Sequence, residues 1–477
     1  MEKTNYKYVF NAAMTVILIF LGFFLPENNV ISPYGMKILF IFIGMLYGWS
    51  FWNLLGPSFL GMIALAFSGF GKITAIASLG FGDSTLIMII LFSIFTAWLT
   101  EIGFTDNIMS WFMSRKMFVG KPWIFIAAFL ALSAVMGFLI GQFPAIFLMW
   151  TCVYQICEAA GYEKRSRFAG FLIFGVSMMT SAGNAIKPFS GWALSGLNMY
   201  ASASGTEMTY PQYIAYTIII FTAILVVFVL FAKLFFKIDA LPLQQLDYTK
   251  ITEKKAWNKV QKIGAAMLIF TIFSLLLPDF LPACAIKTTL KTIGVIGTVM
   301  LMLTIMLFLR IDGKPVANFK ALAAKGVDWN VTILLASTIA VGAALKSEEA
   351  GIMLFLKDVA ISYLSDVPAL MFYIAIVVVL GVLTQFCHNL VLLTSIGPML
   401  VSIAISLGLS GEIVAMLSIV VLQCALATPG ASTRAGQLFG NDEWVKVSDC
   451  YVFGWSSLVC TWLVLIIVGI PLGMLLF

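Results

Sequence analysis

The sequence predicts an all-α polytopic membrane protein built from two inverted-topology repeats, each with a re-entrant helical hairpin and a broken transmembrane helix. Three observations carry that expectation. Of 477 residues, 61% are hydrophobic and only 10% are charged, and mean hydropathy is +1.02. A soluble domain carries roughly 25% charged residues, so most of this surface must face hydrocarbon. Apolar runs of spanning length recur along the whole chain. Helix-breaking and polar residues recur at a single offset of 247 residues. The composition excludes a cytosolic enzyme, a nucleic-acid binder and a secreted disulfide scaffold.

The elements follow in order. Residues 1–34 hold the first span; its apolar run 8–25 ends at Pro26-Glu27-Asn28 without a signal-peptidase site. Residues 35–236 form the first repeat, with spans at 35–52, 55–70 and 84–100. The next run, 123–157, is too long for one span and barely long enough for two, and Gly141-Gln142-Phe143-Pro144 interrupts its middle. Two arms meeting at such a tip describe a re-entrant hairpin over 122–160. Its irregular backbone is tolerated at membrane depth only where protein or a watery cavity covers it. A helix over 168–200 comes next, interrupted at Gly183, Asn184 and Pro188, and the run 212–236 closes the repeat. The basic segment 237–262 reads as a linker. Residues 263–477 form the second repeat, with a hairpin over 367–408 tipped by Cys387-His388-Asn389 and a broken helix over 412–440.

Charge placement orients the chain. With both hairpins treated as re-entrant and the N-terminus inside, 21 Lys and Arg fall inside and six outside, with Lys187 left in a span. The positive-inside bias then places the N-terminus in the cytoplasm and the C-terminus outside, in a multi-pass cell-membrane protein with an odd number of crossings. The first hairpin enters from inside and the second from outside, so the repeat is inverted.

The offset aligns the groups that carry chemistry. Gln142 falls on Asn389, Gly141 on His388 and Phe143 on Leu390. Ser181-Ala182-Gly183-Asn184 falls on Thr428-Pro429-Gly430-Ala431, and Lys187 falls on Arg434. Glu101 and Glu348 also match and read as interfacial charges. Inverted repeats with broken helices are the architecture of secondary transporters, with the site near the midplane where repeats meet. Amides offer a carbonyl to a cation and N–H groups to an anion; singly, each could instead hold helices together. A charge inside a span costs at least ~2.5 kcal/mol on insertion scales, which makes Lys187 and Arg434 functional candidates. The alternatives are a snorkelling Lys187 and an Arg434 in a cytoplasmic loop. His388, the single histidine, could titrate near neutral pH or stay a neutral hydrogen-bonding ring. With one His and seven Cys scattered in apolar runs, no metal site and no cofactor are expected.

The order of elements resembles the divalent-anion/sodium symporter family, whose members carry dicarboxylates, citrate or sulfate. The likeness covers about residues 35 to 477. It is clearest from Thr428-Pro429-Gly430-Ala431 through Tyr451, where the chain reads ATPGASTRAGQLFGNDEWVKVSD, and in Leu383-Thr384-Gln385-Phe386. The family carries a Ser-Asn-Thr triplet at each tip, which binds sodium and substrate carboxylate. Here the positions read Gly141-Gln142-Phe143 and His388-Asn389-Leu390, so the hydroxyls are gone. The resemblance implies a homodimer and an elevator-type movement of a small organic anion, most plausibly a carboxylate. Amides at Gln142, Asn184 and Asn389 would donate to it, with Ser181, Thr394 or Thr428 adding hydroxyls beside Gly183, Pro429 and Gly430. Phe143 and Leu390, where the family has Thr, suggest an apolar part on the substrate. Lys187 and Arg434 would stand where sodium sits, making sodium doubtful as a coupling ion; exchange, or proton coupling through His388, would replace it. A transport-inactive receptor or assembly subunit of the same fold is the alternative. A sodium/proton antiporter would need buried acids, and Glu158 is the only one near a hairpin arm.

Overall fold

A computed structural model describes residues 6–25, 31–113, 115–245, 256–282, 284–311, 313–345, 347–352, 355, 358, 362–364, 366–429 and 431–477. Among the described residues the secondary structure is helical, save one small antiparallel pairing of Arg310–Ile311 with Lys314–Pro315. The first half runs α1 (Tyr6–Leu21), α2 (Pro33–Phe51), α3 (Leu55–Ser68), α4 (Ile73–Phe81), α5 (Ser84–Glu101), α6 (Phe104–Met113), α7 (Pro122–Ile140), α8 (Gln142–Ala160), α9 (Arg167–Ile186), α10 (Gly191–Ser204) and α11 (Tyr210–Leu234). The second runs α12 (Lys259–Phe280), α13 (Ala285–Phe308), α14 (Phe319–Gly326), α15 (Trp329–Leu345), α16 (Ala369–Leu383), α17 (Asn389–Ser406), α18 (Gly411–Val421), α19 (Thr433–Gly440) and α20 (Val447–Leu476). Among the described residues nine helices are long and apolar enough to cross a membrane, or up to 11 if each of two bent pairs counts as one span.

Local chemistry explains the boundaries. Asn258 and Gln261 form a reciprocal capping box at the start of α12. Ser166 caps α9 through its hydroxyl, and Pro122 sits at the first position of α7, where its missing N–H is harmless. The bent pairs are α4 with α5, at 46°, and α14 with α15, at 68°. Each precedes a hairpin, so a bent pair, a hairpin and an interrupted helix appear in that order in both halves. The bends themselves are not marked in the sequence.

The two hairpin tips differ. Gly141 alone separates α7 from α8, with φ at 83°, a left-handed value that glycine adopts without a Cβ penalty. Five residues, Thr384–His388, separate α16 from α17, and α17 contains a π-helical turn over Leu392–Ile396.

The first break corrects the sequence reading. The helix does not open at Gly183 and Asn184; it continues to Ile186, and the interruption is Lys187–Ser190. Pro188 sets it, since the residue before a proline is driven out of the helical region, and Lys187 is extended at φ −67°, ψ 108°. Gly183 serves packing instead. A Cβ there would lie 1.7 Å from the Ala134 carbonyl oxygen of α7, and one at Gly137 of α7 would lie 1.9 Å from that of Thr180. The backbones of α7 and α9 thus touch at two reciprocal glycine notches, as small residues permit in membranes. The second break runs from Ala425 to Ser432; Gly430 lies outside the described residues, as do 246–255 of the linker.

Burial sets the layers. In α9, 89% of the span is buried, against 29% in α12 and 28% in α13. The broken helix is therefore central, and α12 and α13 turn most of their apolar surface outward.

Candidate functional site

The hairpin tips and the helix breaks converge on one cavity of about 700 Å³. Gln142 and Phe143 line it from the first tip, and Asn184 and Lys187 from the first broken helix. His388, Asn389 and Leu390 line it from the second tip, and Arg434 from beyond the second break. The opposite wall is α5 and the junction of α14 with α15.

Other expected residues lie elsewhere. Ser181 is buried and its hydroxyl donates to the Ser177 carbonyl at 2.7 Å. Thr394 donates to the Leu390 carbonyl at 2.9 Å and lines a separate cavity of about 340 Å³. Both follow the habit of helical hydroxyls, which bond back one turn. Thr428 donates to the Gln385 carbonyl and so closes the break rather than facing the cavity. Pro429 is exposed, and Gly183 faces α7.

The cavity's deep charges share one sign. Lys187 is 3% exposed and Arg434 is 2% exposed. Neither has a carboxylate partner among the described residues, whose ion pairs are Lys164–Glu443 and Lys325–Glu101. The Lys187 ammonium lies 5.5 Å from the Phe189 ring centre. The Arg434 Nη2 donates to Gln423 Oε1 at 3.0 Å, whereas Nη1 is buried without a partner. Gln142 Oε1 and both ring nitrogens of His388 are likewise unpartnered. The acids lie at the solvent-facing rim: Glu101, 40% exposed, pairs with Lys325 at 3.3 Å, and Asp328 is exposed.

The two cations are not equivalent in local structure, although the offset aligns them. Lys187 is the C-cap residue of α9, where a cation suits the helix dipole. Arg434 is in the first turn of α19, and no acidic residue accompanies it there. A cation at that end opposes the dipole. Both half-helices after the breaks begin with a serine cap on the cavity wall. Ser190 accepts from the Ala193 N–H at 3.1 Å, and Ser432 from the Ala435 N–H at 3.2 Å. Helix starts of this kind favour anions.

Sequence reasoning missed two amides. Gln385 receives the Ala427 N–H on Oε1 at 2.9 Å and donates from Nε2 to the Cys424 carbonyl at 3.0 Å. Gln423 holds Arg434 and donates to the Ser181 carbonyl at 3.1 Å. The available signal was a buried amide within a few residues of a break. Ser93, Thr96 and Thr100 of α5, also on the wall, form a polar stripe at helical spacing that was legible too.

Comparison with known proteins bears on this arrangement. A family model described as citrate transporter (CitMHS) matches residues 38–421, most of the chain. No curated protein matches. A solved structure, the YdaH transporter of Alcanivorax borkumensis, described as having an unusual topology, matches with a TM-score of 0.56. The match covers 92% of this chain and 98% of that one at 12% identity, a likeness of fold. The family match takes in both hairpins and the first break and stops short of Arg434. This multi-pass membrane protein is therefore a transporter, not an enzyme, and it belongs to the citrate transporter family.

Proposed function

We propose that the cavity binds a small organic polycarboxylate and carries it by an elevator-type movement of the hairpins and broken helices, with no sodium ion beside the substrate. One observation carries the reading: Arg434, which lines the cavity, is buried at the positive end of α19, has no carboxylate partner among the described residues, and leaves its buried Nη1 without a hydrogen-bond partner. A buried, unpaired guanidinium is costly, and guanidinium matches carboxylate geometry. A carboxylate entering the cavity supplies the missing partner. Lys187 offers a second positive charge from the other half, and the serine-capped helix starts add N–H donors. Phe143, Phe189 and Leu390 leave room for the substrate's carbon skeleton.

Membership in the citrate transporter family supports citrate as the first substrate to try. The two tethered cations take the place of coupling ions next to the substrate, so transport proceeds by exchange or with protons, His388 being the candidate titrating group. In this reading the chain works as a homodimer with one cavity per protomer.

The test is uptake of radiolabelled citrate into proteoliposomes. Uptake is expected without a sodium gradient. Lys187→Gln and Arg434→Gln should each reduce it tenfold or more, since a hydrogen bond to a charged group contributes about 1.5–3 kcal/mol. Steep sodium dependence in the wild type, with both variants unimpaired, refutes the reading. Absence of both citrate binding and uptake supports the transport-inactive subunit instead.

A further inference from the structure

We infer that Gln423 is the positioning residue for Arg434: it aims the guanidinium into the cavity and ties that aim to the first broken helix. The inference rests on the proposed carboxylate site. Gln423 is 4% exposed and sits on the cavity wall in the last turn before the second break. Its Oε1 accepts from Arg434 Nη2 at 3.0 Å, and its own carbonyl lies 3.4 Å from the same nitrogen. Its Nε2 donates to the Ser181 carbonyl in α9 at 3.1 Å. One amide therefore spans two interrupted helices from opposite halves of the chain.

The geometry makes this an orienting contact rather than a neutralising one. An amide leaves the guanidinium charge intact, whereas a carboxylate in its place would cancel it. Gln423 engages one face of the fork, and Nη1, buried and unpartnered, is left for a ligand. A long arginine side chain loses rotamer freedom when it binds. Holding Nη2 beforehand removes much of that loss. Because the other end of Gln423 grips the Ser181 carbonyl, the position of Arg434 depends on α9, which carries Asn184 and ends at Lys187. The two cationic elements are thereby set at a fixed spacing, which selects substrates whose carboxylates match it.

The experiment is a double-mutant cycle read by citrate binding to the purified full-length protein. Gln423→Met keeps length and loses both hydrogen bonds. It should weaken citrate binding about tenfold, raise KM more than it lowers kcat, and add little further loss in the Arg434→Gln background. A purely structural role would give additive losses in the two backgrounds. Gln423→Glu is nearly isosteric and serves if the methionine variant does not fold. Its carboxylate would pair with Arg434 in place of the substrate, so citrate binding should fall at least as far. Citrate affinity unchanged in Gln423→Glu, or additive effects in the cycle, overturns the inference. Wild-type affinity in Arg434→Gln alone overturns the carboxylate site itself, so the two failures are distinguishable.

Discussion

At the scale of single residues, the chain uses glycine where backbones must meet. Gly183 has the Ala134 carbonyl where a methyl would go, so Gly183→Ala should lower the melting temperature by several degrees, read by differential scanning fluorimetry. Gly71 has nothing within 4 Å of the same position, and Gly71→Ala should leave the melting temperature unchanged. Equal behaviour of the two variants would contradict the packing account. Of the charged residues on the cavity wall, the sequence singles out Lys187 and Arg434, because a charge in an apolar run is costly, whereas Glu101 reads there as an interfacial charge and Lys325 and Asp328 carry no signal. The hydroxyl groups misled, because Ser181 and Thr394 spend their protons on carbonyls of their own helices. Which of several polar residues turns toward a cavity depends on helix phase, and an apolar segment packed on all sides records that phase poorly.

At the scale of elements, the two breaks are held differently. The first is short, four residues long, and its last helical turn is pinned from α11 by the Tyr213 hydroxyl donating to the Ala185 carbonyl. The second is longer and relies on Gln385 of the hairpin tip, which takes up the Cys424 carbonyl and the Ala427 N–H. Gln385→Leu leaves the Ala427 N–H buried without its partner and the Cys424 carbonyl with the Leu426 N–H alone, at a cost of about 2 kcal/mol. The expected outcome is lower thermal stability together with faster amide exchange confined to residues 421–435. Unchanged exchange there would mean that other contacts hold the break. Break positions were only partly readable. Proline announced the first one correctly through Pro188, but Gly183 and Asn184 lie within regular helix, where glycine serves close packing rather than flexibility.

At the scale of the whole molecule, the recurring order of hairpin and interrupted helix was visible as a shared offset, because breaks and tips leave polar letters in an apolar text, whereas the bent pairs leave no such mark. From charge counting alone we propose that the N-terminus lies in the cytoplasm and the C-terminus outside. Under the proposed orientation, cysteines placed at Asn258 and Tyr210 should react with impermeant reagent from opposite sides. Labelling from the same side would require an even count of crossings between them. The notched contact between α7 and α9 has a mechanical consequence. Gly137 and Gly183 bring carbonyls within reach of the facing backbone on both sides, which makes the pair a dovetail with no slip along its length. If the hairpins move as proposed, the hairpin arm and the interrupted helix travel as one piece of cargo-bearing machinery, and shear falls on another plane, at the wall formed by α5 and α15. A covalent staple across α7 and α9 should leave turnover running, while one from α5 to α10 should stall it.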